Sequence, residues 1–227
     1  WYVVSGDVTV SSQITVTGDV HLILTNNCVL TVENGIAVNG DNSLTIYAQS
    51  TGEDMGRLTA THKTGYCAGI GSNEGFSGGA ITIYGGSITA TGGTFGAGIG
   101  GGNRGDGGAI TIYGGSITAN GGTSGAGIGG GNSGDGGVIA IYGGSITADG
   151  VHNGAGIGGG SSGDGGEITI YGGNVTAKGG DGAGIGGGNN RGSGGKITIT
   201  GGIVAATSTE SGAGIGGGRT GSGGTIT

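Results

Sequence analysis

A short Ala-Gly-Ile-Gly motif recurs six times along this chain at an almost constant interval. The isoleucines at its centre are Ile70, Ile99, Ile128, Ile157, Ile185 and Ile215, so the intervals are 29, 29, 29, 28 and 30 residues. Self-similarity at this period is typical of solenoids, in which one repeat cannot bury its apolar face alone and neighbouring repeats supply the rest of the core. An unbroken repeat therefore predicts one elongated domain rather than two globules.

The composition argues against several classes of protein and of binding partner. Glycine supplies 69 of the 227 residues and proline none, which argues against a collagen-like or proline-rich chain. The formal net charge is −7 with only seven lysines and arginines, the opposite of what a phosphate backbone attracts, so no nucleic-acid partner is expected. No run of about eighteen apolar residues occurs, so membrane insertion is not expected either.

Each repeat contains three short apolar segments separated by glycine clusters, as residues 96–122 illustrate. A period of two around Ile110 and Ile112 sends these side chains inward and the alternate residues outward. The segments around Ile117 and Ile99 alternate in the same way. We predict an all-β fold, a right-handed parallel β-helix with about 29 residues and three short strands in each coil.

The beginning of the chain differs from the later repeats in its glycine content. Only six glycines precede residue 65, and the apolar segments there resemble conventional strands. A solenoid end must cover its core and its free strand edge. We therefore predict that residues 1–34 form an atypical N-terminal cap plus a first coil. Residues 35–227 are predicted to form the coils of the same single domain, truncated mid-repeat at the C-terminus.

A constant period places equivalent outward residues in columns on the surface, and one of these columns is aromatic. It contains Tyr47, Tyr84, Tyr113, Tyr142 and Tyr171. Two interpretations stay open: the rings stack on one another at a strand end, or their faces carry successive sugar rings, for which an aromatic ring offers an apolar platform with a polar rim. On the second interpretation the ligand is a polysaccharide or host glycan, and the binding candidates are Tyr84, Tyr113, Tyr142 and Tyr171.

A second column is acidic and lies in the turn before the Ile-Thr-Ile strand. Asp106, Asp135 and Asp164 follow one another in it at intervals of one repeat. Carboxylates at this spacing repel one another unless they are solvated, accept hydrogen bonds from backbone N–H groups, or share a hard cation such as calcium. The three aspartates are therefore metal-ligand candidates, and capping of their own turns is the alternative. No cofactor other than calcium is considered.

Threonines form two further rows on the predicted surface. One row contains Thr82, Thr111, Thr169 and Thr198, and the other contains Thr89, Thr118, Thr147 and Thr176. Such rows suggest a flat ice-binding array, although threonine is common on the outer face of any strand. The GAGIGGG segments leave only glycine at their outward positions, and this bare face is a candidate surface for side-by-side self-association of two copies.

The two cysteines, Cys28 and Cys67, are too few for a small disulfide-stabilised domain. One interpretation joins them in a single disulfide. The other leaves two small, half-buried thiols on neighbouring coils, because the sequence does not place their Cα atoms within bonding distance.

Titratable residues come close together in sequence at one place. Glu53, Asp54 and His62 lie there, and they would supply the acid and base of a polysaccharide lyase or hydrolase, activities often found on β-helices. A surface-loop insertion explains the same residues without any catalysis. We predict that the chain is not an enzyme.

In the repeats, GAGIGGG is followed by GGxITIYGGxITA, and the chain begins WYVVSGDVTVSSQITVTGDVHLILTNNCVLTV. These motifs resemble glycine-rich β-helical segments of large secreted or wall-attached proteins of Gram-positive anaerobic bacteria, often described as carbohydrate-binding or adhesin-like. The resemblance covers nearly the whole chain and implies an extracellular location with a binding or spacer role. The function we expect is a non-catalytic stalk or adhesin that binds glycans along an outward column. The alternatives are a lyase or hydrolase and an ice-binding protein.

Overall fold

The computed structural model describes residues 1–63 and 65–227, and these residues form 25 β-strands, numbered β1–β25 in chain order, with no helix among them. The strands form three sheets, and the chain visits sheet 1, sheet 2 and sheet 3 in turn. None of the described residues belongs to an apolar helix of membrane-spanning length.

Sheet 1 has nine strands and the other two sheets have eight each. Sheet 1 contains β1 (Tyr2–Val4), β4 (Asp19–Leu24), β7 (Ser43–Ala48), β10 (Ala80–Ile83), β13 (Ala109–Ile112), β16 (Val138–Ile141), β19 (Glu167–Ile170), β22 (Lys196–Ile199) and β25 (Thr225–Ile226). Sheet 2 contains β2 (Asp7–Val10), β5 (Val29–Val32), β8 (Arg57–Thr61), β11 (Ser87–Thr91), β14 (Ser116–Asn120), β17 (Ser145–Asp149), β20 (Asn174–Gly179) and β23 (Ile203–Ser208). Sheet 3 contains β3 (Ile14–Thr15), β6 (Ile36–Ala37), β9 (Ile70–Gly71), β12 (Ile99–Gly100), β15 (Ile128–Gly129), β18 (Ile157–Gly158), β21 (Ile185–Gly186) and β24 (Ile215–Gly216).

Every strand pairs in parallel with the strand one coil away. In the later coils the paired residues are 29 positions apart, as Ile99 and Ile128 are in sheet 3 and Ile110 and Ile139 in sheet 1. Equivalent residues of successive coils therefore lie directly above one another at the normal strand spacing of about 4.8 Å. The predicted all-β parallel solenoid with three strands per coil is confirmed.

The core of the solenoid is a set of isoleucine ladders. Ile99, Ile110, Ile112 and Ile117 have at most 1% of their surface exposed, and so do their counterparts in the neighbouring coils. Alanines such as Ala119 complete each layer and are equally buried. The alternation predicted the inward faces correctly, because a strand with one buried face must place every second residue in the core.

The first coils are smaller than the later ones but belong to the same sheets. Partner residues in the first two coils are 20 to 22 positions apart, as in the pairs of β1 with β4, β2 with β5 and β3 with β6. The difference lies in the corner loops, since residues 33–35 make a corner that residues 121–127 make in a later coil. Residues 1–34, predicted as a cap plus a first coil, thus contribute β1–β5 to the regular sheets, and position 34 falls inside the second coil.

The N-terminal end of the core is open to a cavity of about 700 Å³. Buried core side chains line this cavity together with exposed residues of the first coil, among them Val4, Leu22 and Leu30 from the core and Tyr2 and Val8 from the outer strands. The apolar segments of residues 1–34 form the sheet strands β1–β5 around this cavity.

The glycines of the GAGIGGG segments between Gly96 and Gly188 are buried, which corrects the expectation of a bare outer face. On either side of each sheet 3 strand the chain folds back tightly, and the Ala126 N–H donates to the Gly130 carbonyl over 2.9 Å. Gly129 has φ +132°, and a methyl group built on it would meet the carbonyl oxygen of Gly158 in the next coil. These glycines pack on one another between successive coils, and self-association of two copies stays a prediction.

Candidate functional site

A continuous stack of aromatic rings runs along the outer side of sheet 1, and we name it the aromatic column. Its members are Trp1, His21, Tyr47, Tyr84, Tyr113, Tyr142 and Tyr171. From Tyr47 to Tyr171 the ring centroids are 4.5 to 5.0 Å apart and the ring planes differ by 3 to 12°. The spacing equals that of the strands, because Tyr47 lies in β7 and each later tyrosine directly follows a sheet 1 strand. The Tyr113 N–H, for example, donates to the Ile83 carbonyl over 2.8 Å.

The four predicted tyrosines all lie in this column and each exposes 44 to 48% of its surface. Tyr84, Tyr113 and Tyr142 have a ring on both faces and Tyr171 has Tyr142 on one face, so no sugar ring fits between two phenols at this spacing. The stacking interpretation of the column is thus the one that the geometry shows. What the column presents to solvent is a row of ring edges and hydroxyl groups, one per coil.

The crowding of the phenols raises the pKa of Tyr142 above its ordinary value. Desolvation by the neighbouring rings is the main cause, followed by the repulsion that a phenolate there would feel from Tyr171 and Tyr113. Tyr142 therefore presents a neutral hydroxyl group, which can both donate and accept hydrogen bonds.

The N-terminal end of the column differs chemically from the rest. His21 stacks on Trp1 with ring centroids 4.2 Å apart, and its Nε2 lies 3.2 Å from an Asp19 carboxylate oxygen. Because a carboxylate only accepts, Nε2 donates to Asp19, and in the neutral imidazole Nδ1 then accepts a hydrogen bond from the Tyr47 hydroxyl over 3.3 Å. The Ser43 hydroxyl also donates to Asp19, and this bond, followed by those to His21, lowers the pKa of the Asp19 carboxyl.

The 29-residue period did not predict the N-terminal end of the column, because the first coils contain fewer residues. His21 pairs with Thr45, 24 positions away, whereas the period read from the later motifs is 29. An alignment of Leu22 with Ile46, both inward residues, is the signal that would have placed His21 on the outer face in register with Thr45, two residues before Tyr47.

The three predicted metal-ligand candidates form a hydrogen-bonded ladder along a corner of the solenoid. Oδ1 of Asp106 accepts the Asp135 N–H over 2.9 Å, Oδ1 of Asp135 accepts the Asp164 N–H over 2.8 Å, and Oδ1 of Asp164 accepts the Ser193 N–H over 2.7 Å. Each carboxylate thus caps the next coil rather than its own turn. Within residues 1–63 and 65–227, no three His, Cys, Asp or Glu side chains are grouped as a metal site.

The two cysteines are free thiols in the structure, so the disulfide that the sequence left open is not formed. Cys28 is buried at the corner between β4 and β5, and half-buried Cys67 lies at the corner between β8 and β9. A disulfide would have to join two different corners of the solenoid, which the required Cα separation forbids.

The structure also separates the titratable residues that are close in sequence. Glu53 and Asp54 are exposed in the turn before β8, and His62 follows the other end of that strand. Five extended residues, about 16 Å, lie between these positions. The three side chains therefore do not meet as the acid and base of one site.

A profile of the beta helix repeat matches five segments, residues 81–103, 110–132, 139–161, 168–189 and 197–219, which together cover half of the chain. The chain belongs to the beta helix repeat family. No curated protein and no solved structure matches it. Each matched segment of this beta helix repeat protein begins in a sheet 1 strand and ends just after the following sheet 3 strand. One segment therefore covers one coil except for the rest of the glycine loop that leads from sheet 3 back to sheet 1.

The outer face of sheet 2 in the beta helix repeat carries a threonine column longer than the sequence pattern predicts. Its members are Thr9, Thr31, Thr59, Thr89, Thr118, Thr147 and Thr176, paired in register without interruption. The matching row on sheet 1 is broken by Ala140. The three additional threonines, Thr9, Thr31 and Thr59, lie before the regular repeats, so the period did not predict them, just as it did not predict the position of His21.

Proposed function

We propose that this chain is a non-catalytic module of an extracellular surface protein, a rigid rod that contacts glycans through the aromatic column. The single observation that supports this best is the regular row of phenol groups, one per coil from Tyr47 to Tyr171, held at the strand spacing. A linear polysaccharide offers hydroxyl groups at a similarly regular repeat. The extracellular location rests on the resemblance of the repeat to segments of surface proteins.

The rod is rigid because each coil is bonded to its neighbours on all three sheets. Every strand from β4 to β22 pairs with a strand on both sides, and the glycine corners between them are buried or half-buried and hydrogen-bonded. Such a scaffold fixes the phenols before a ligand arrives, so binding does not have to order them. A pre-ordered row favours a long, regular ligand over a small one.

The stacking changes how a glycan would bind. Since the ring faces are covered, the contacts would be made by the hydroxyl groups and ring edges. Outward Thr111 lies two residues before Tyr113 in the same coil, so a row of threonines runs beside the column and adds a second line of hydroxyl groups. A chain of sugars lying along the solenoid axis would contact both rows.

The sharpest test removes hydroxyl groups and keeps the stack. We expect Tyr113→Phe with Tyr142→Phe to weaken binding to a polysaccharide by about tenfold, because each lost hydrogen bond contributes about 0.5 to 1.5 kcal/mol. A glycan array followed by titration with the strongest polysaccharide measures the change.

Tyr66→Phe is the matched control for this double variant. Tyr66 is 47% exposed, as Tyr171 is, and it stacks on Phe95 outside the column. Binding that ignores the double variant would contradict a role for the hydroxyl row, and a native chain that binds no glycan would leave the rod as a spacer alone.

The threonine column of sheet 2 favours a second candidate, ice binding. Its seven hydroxyl and methyl groups repeat at about 4.8 Å along the axis on a face that carries no aromatic side chain between Thr9 and Thr176. The described hydrogen bonds of threonine hydroxyl groups involve Thr25, Thr200 and Thr209, none of which belongs to the column. The column is therefore available to ordered water.

If the chain binds ice, we expect the native chain to show thermal hysteresis. The double variant Thr118→Lys with Thr147→Lys should abolish it, because bulky charged side chains interrupt the flat threonine column. Thr111→Lys, which changes the interrupted row of sheet 1, is expected to leave the hysteresis unchanged. Nanolitre osmometry on all three proteins measures it. Zero hysteresis of the native chain at millimolar concentration would remove this candidate.

A further inference from the structure

The aromatic column combines two features that its glycan-binding role does not use. One is close contact between oxidisable rings over five coils, with centroids at most 5.0 Å apart. The other is a proton acceptor at one end, the His21 Nδ1, placed 3.3 Å from the Tyr47 hydroxyl. Phenol oxidation at neutral pH releases a proton with the electron, so the phenol with an acceptor already in place is the easiest to oxidise.

We propose that the aromatic column is a redox relay, in which one-electron oxidation of any of its tyrosines ends as a radical on Tyr47. The co-reactant is a one-electron oxidant in the surrounding medium, such as a peroxyl radical or a high-valent metal complex. This inference is independent of glycan binding, because it depends on the ring contacts and on His21 and not on any ligand.

At the N-terminal end of the column, the electron and the proton of Tyr47 go to different acceptors. Tyr47 gives one electron to the oxidised ring of Tyr84, and the hydroxyl proton of Tyr47 moves along its hydrogen bond to Nδ1 of His21. The products are a neutral tyrosyl radical on Tyr47 and a His21 imidazolium, whose Nε2–H still donates to the Asp19 carboxylate. The negative charge of Asp19 stabilises the imidazolium. Tyr84 returns to its reduced form by taking back a proton from water at its exposed hydroxyl.

The outer tyrosines pass the oxidation along in the same manner. Each of Tyr84, Tyr113, Tyr142 and Tyr171 touches the next ring of the column and has an exposed side chain that exchanges its proton with water. The raised pKa of Tyr142 disfavours a phenolate at that ring, where a phenolate would hold the oxidation. The step that keeps its proton inside a hydrogen bond is the one at Tyr47.

The exposure of the rings makes the inference easy to test. Tyr47 is half-buried, whereas the four later tyrosines are exposed. Random attack from solvent would therefore label Tyr47 least, and the relay would label it most. The experiment generates tris(bipyridine)ruthenium(III) by a light flash, traps radicals with a nitroso spin trap, and maps the adducts by peptide mass spectrometry. Trp1→Phe is introduced throughout to remove the competing indole while keeping a ring.

We expect Tyr47 to carry several times more adduct than Tyr113. His21→Phe keeps a ring in the stack and removes the proton acceptor, and it should spread the adducts over the exposed tyrosines. Tyr113→Leu interrupts the column, and adducts should then accumulate on Tyr142 and Tyr171. Labelling in proportion to exposure, unchanged by His21→Phe, would overturn the proposal.

Two measurements guard against an unfolded variant. Circular dichroism checks the strand content of each protein. Tyr66 lies outside the column and should carry the same amount of adduct in all of them, because its exposure and its contact with Phe95 are unchanged.

Discussion

Gly136→Ala is expected to lower the free energy of unfolding by about 3 kcal/mol, at the upper end of the cost of overpacking. A methyl group built on Gly136 would meet the carbonyl oxygen of Gly165 and come within 2.9 Å of the Gly158 Cα in the next coil. Both obstacles are backbone atoms, which cannot rotate away as a side chain can. The coils would have to separate, and that would stretch the hydrogen bonds of all three sheets.

Gly223→Ala is the matched control, because Gly223 occupies the same place in the last described coil. A methyl group there has no neighbouring atom within 4 Å, and neither glycine has a positive φ. We expect Gly223→Ala to change the stability by less than about 0.5 kcal/mol. Guanidinium denaturation followed by circular dichroism compares the two proteins, and equal stabilities would mean that the coils admit a methyl group between them.

Ile128→Ala is expected to cost about 2 to 5 kcal/mol, the range for removing a large aliphatic side chain from a closed core. Ile128 is fully buried, and it stacks between Ile99 and Ile157 in sheet 3. The cavity cannot collapse easily, because the neighbouring ladders are held at the strand spacing by backbone hydrogen bonds. Ile128→Val, which removes one methyl group, should cost about 1 kcal/mol.

The control for this prediction is Ile203→Ala, since Ile203 is 73% exposed on the outer face of sheet 2. Its replacement should leave stability within about 0.5 kcal/mol of the native value. Amide hydrogen exchange adds a spatial readout, because stability in a solenoid is built from contacts between nearest neighbours. Exchange in Ile128→Ala should quicken most in β12 and β18, and a uniform increase from β4 to β22 would contradict the nearest-neighbour account.

The coil, its three strands and its inward residues could be predicted because they follow from periodicity alone. A 29-residue repeat fixes which residues are equivalent, and the alternation around Ile110 and Ile112 fixes which of them face the core. The tyrosine column follows from the same two facts. The columns on the surface were therefore accessible without coordinates wherever the period holds.

Three features were not accessible, and each has a physical reason. The glycine segments were expected to be bare, but alternation describes strands and not the tight loops that bury Gly96 and Gly130. Asp106 was expected to bind a metal or to cap its own turn, yet a carboxylate at the edge of a coil reaches the next N–H as easily, because the coils are only about 4.8 Å apart. The acceptor His21 lies in coils whose spacing departs from the period.

The near-identity of the later coils has a consequence for how the chain reaches its native state. If the coil containing β16 docked one repeat out of place, isoleucine would still meet isoleucine and tyrosine would still meet tyrosine, so a slipped arrangement is almost as favourable locally. The small coils of β1–β6 have no duplicate later in the chain. They emerge before the later coils during synthesis and give those coils a single template to wind onto, so the least regular coils set the alignment of the most regular ones.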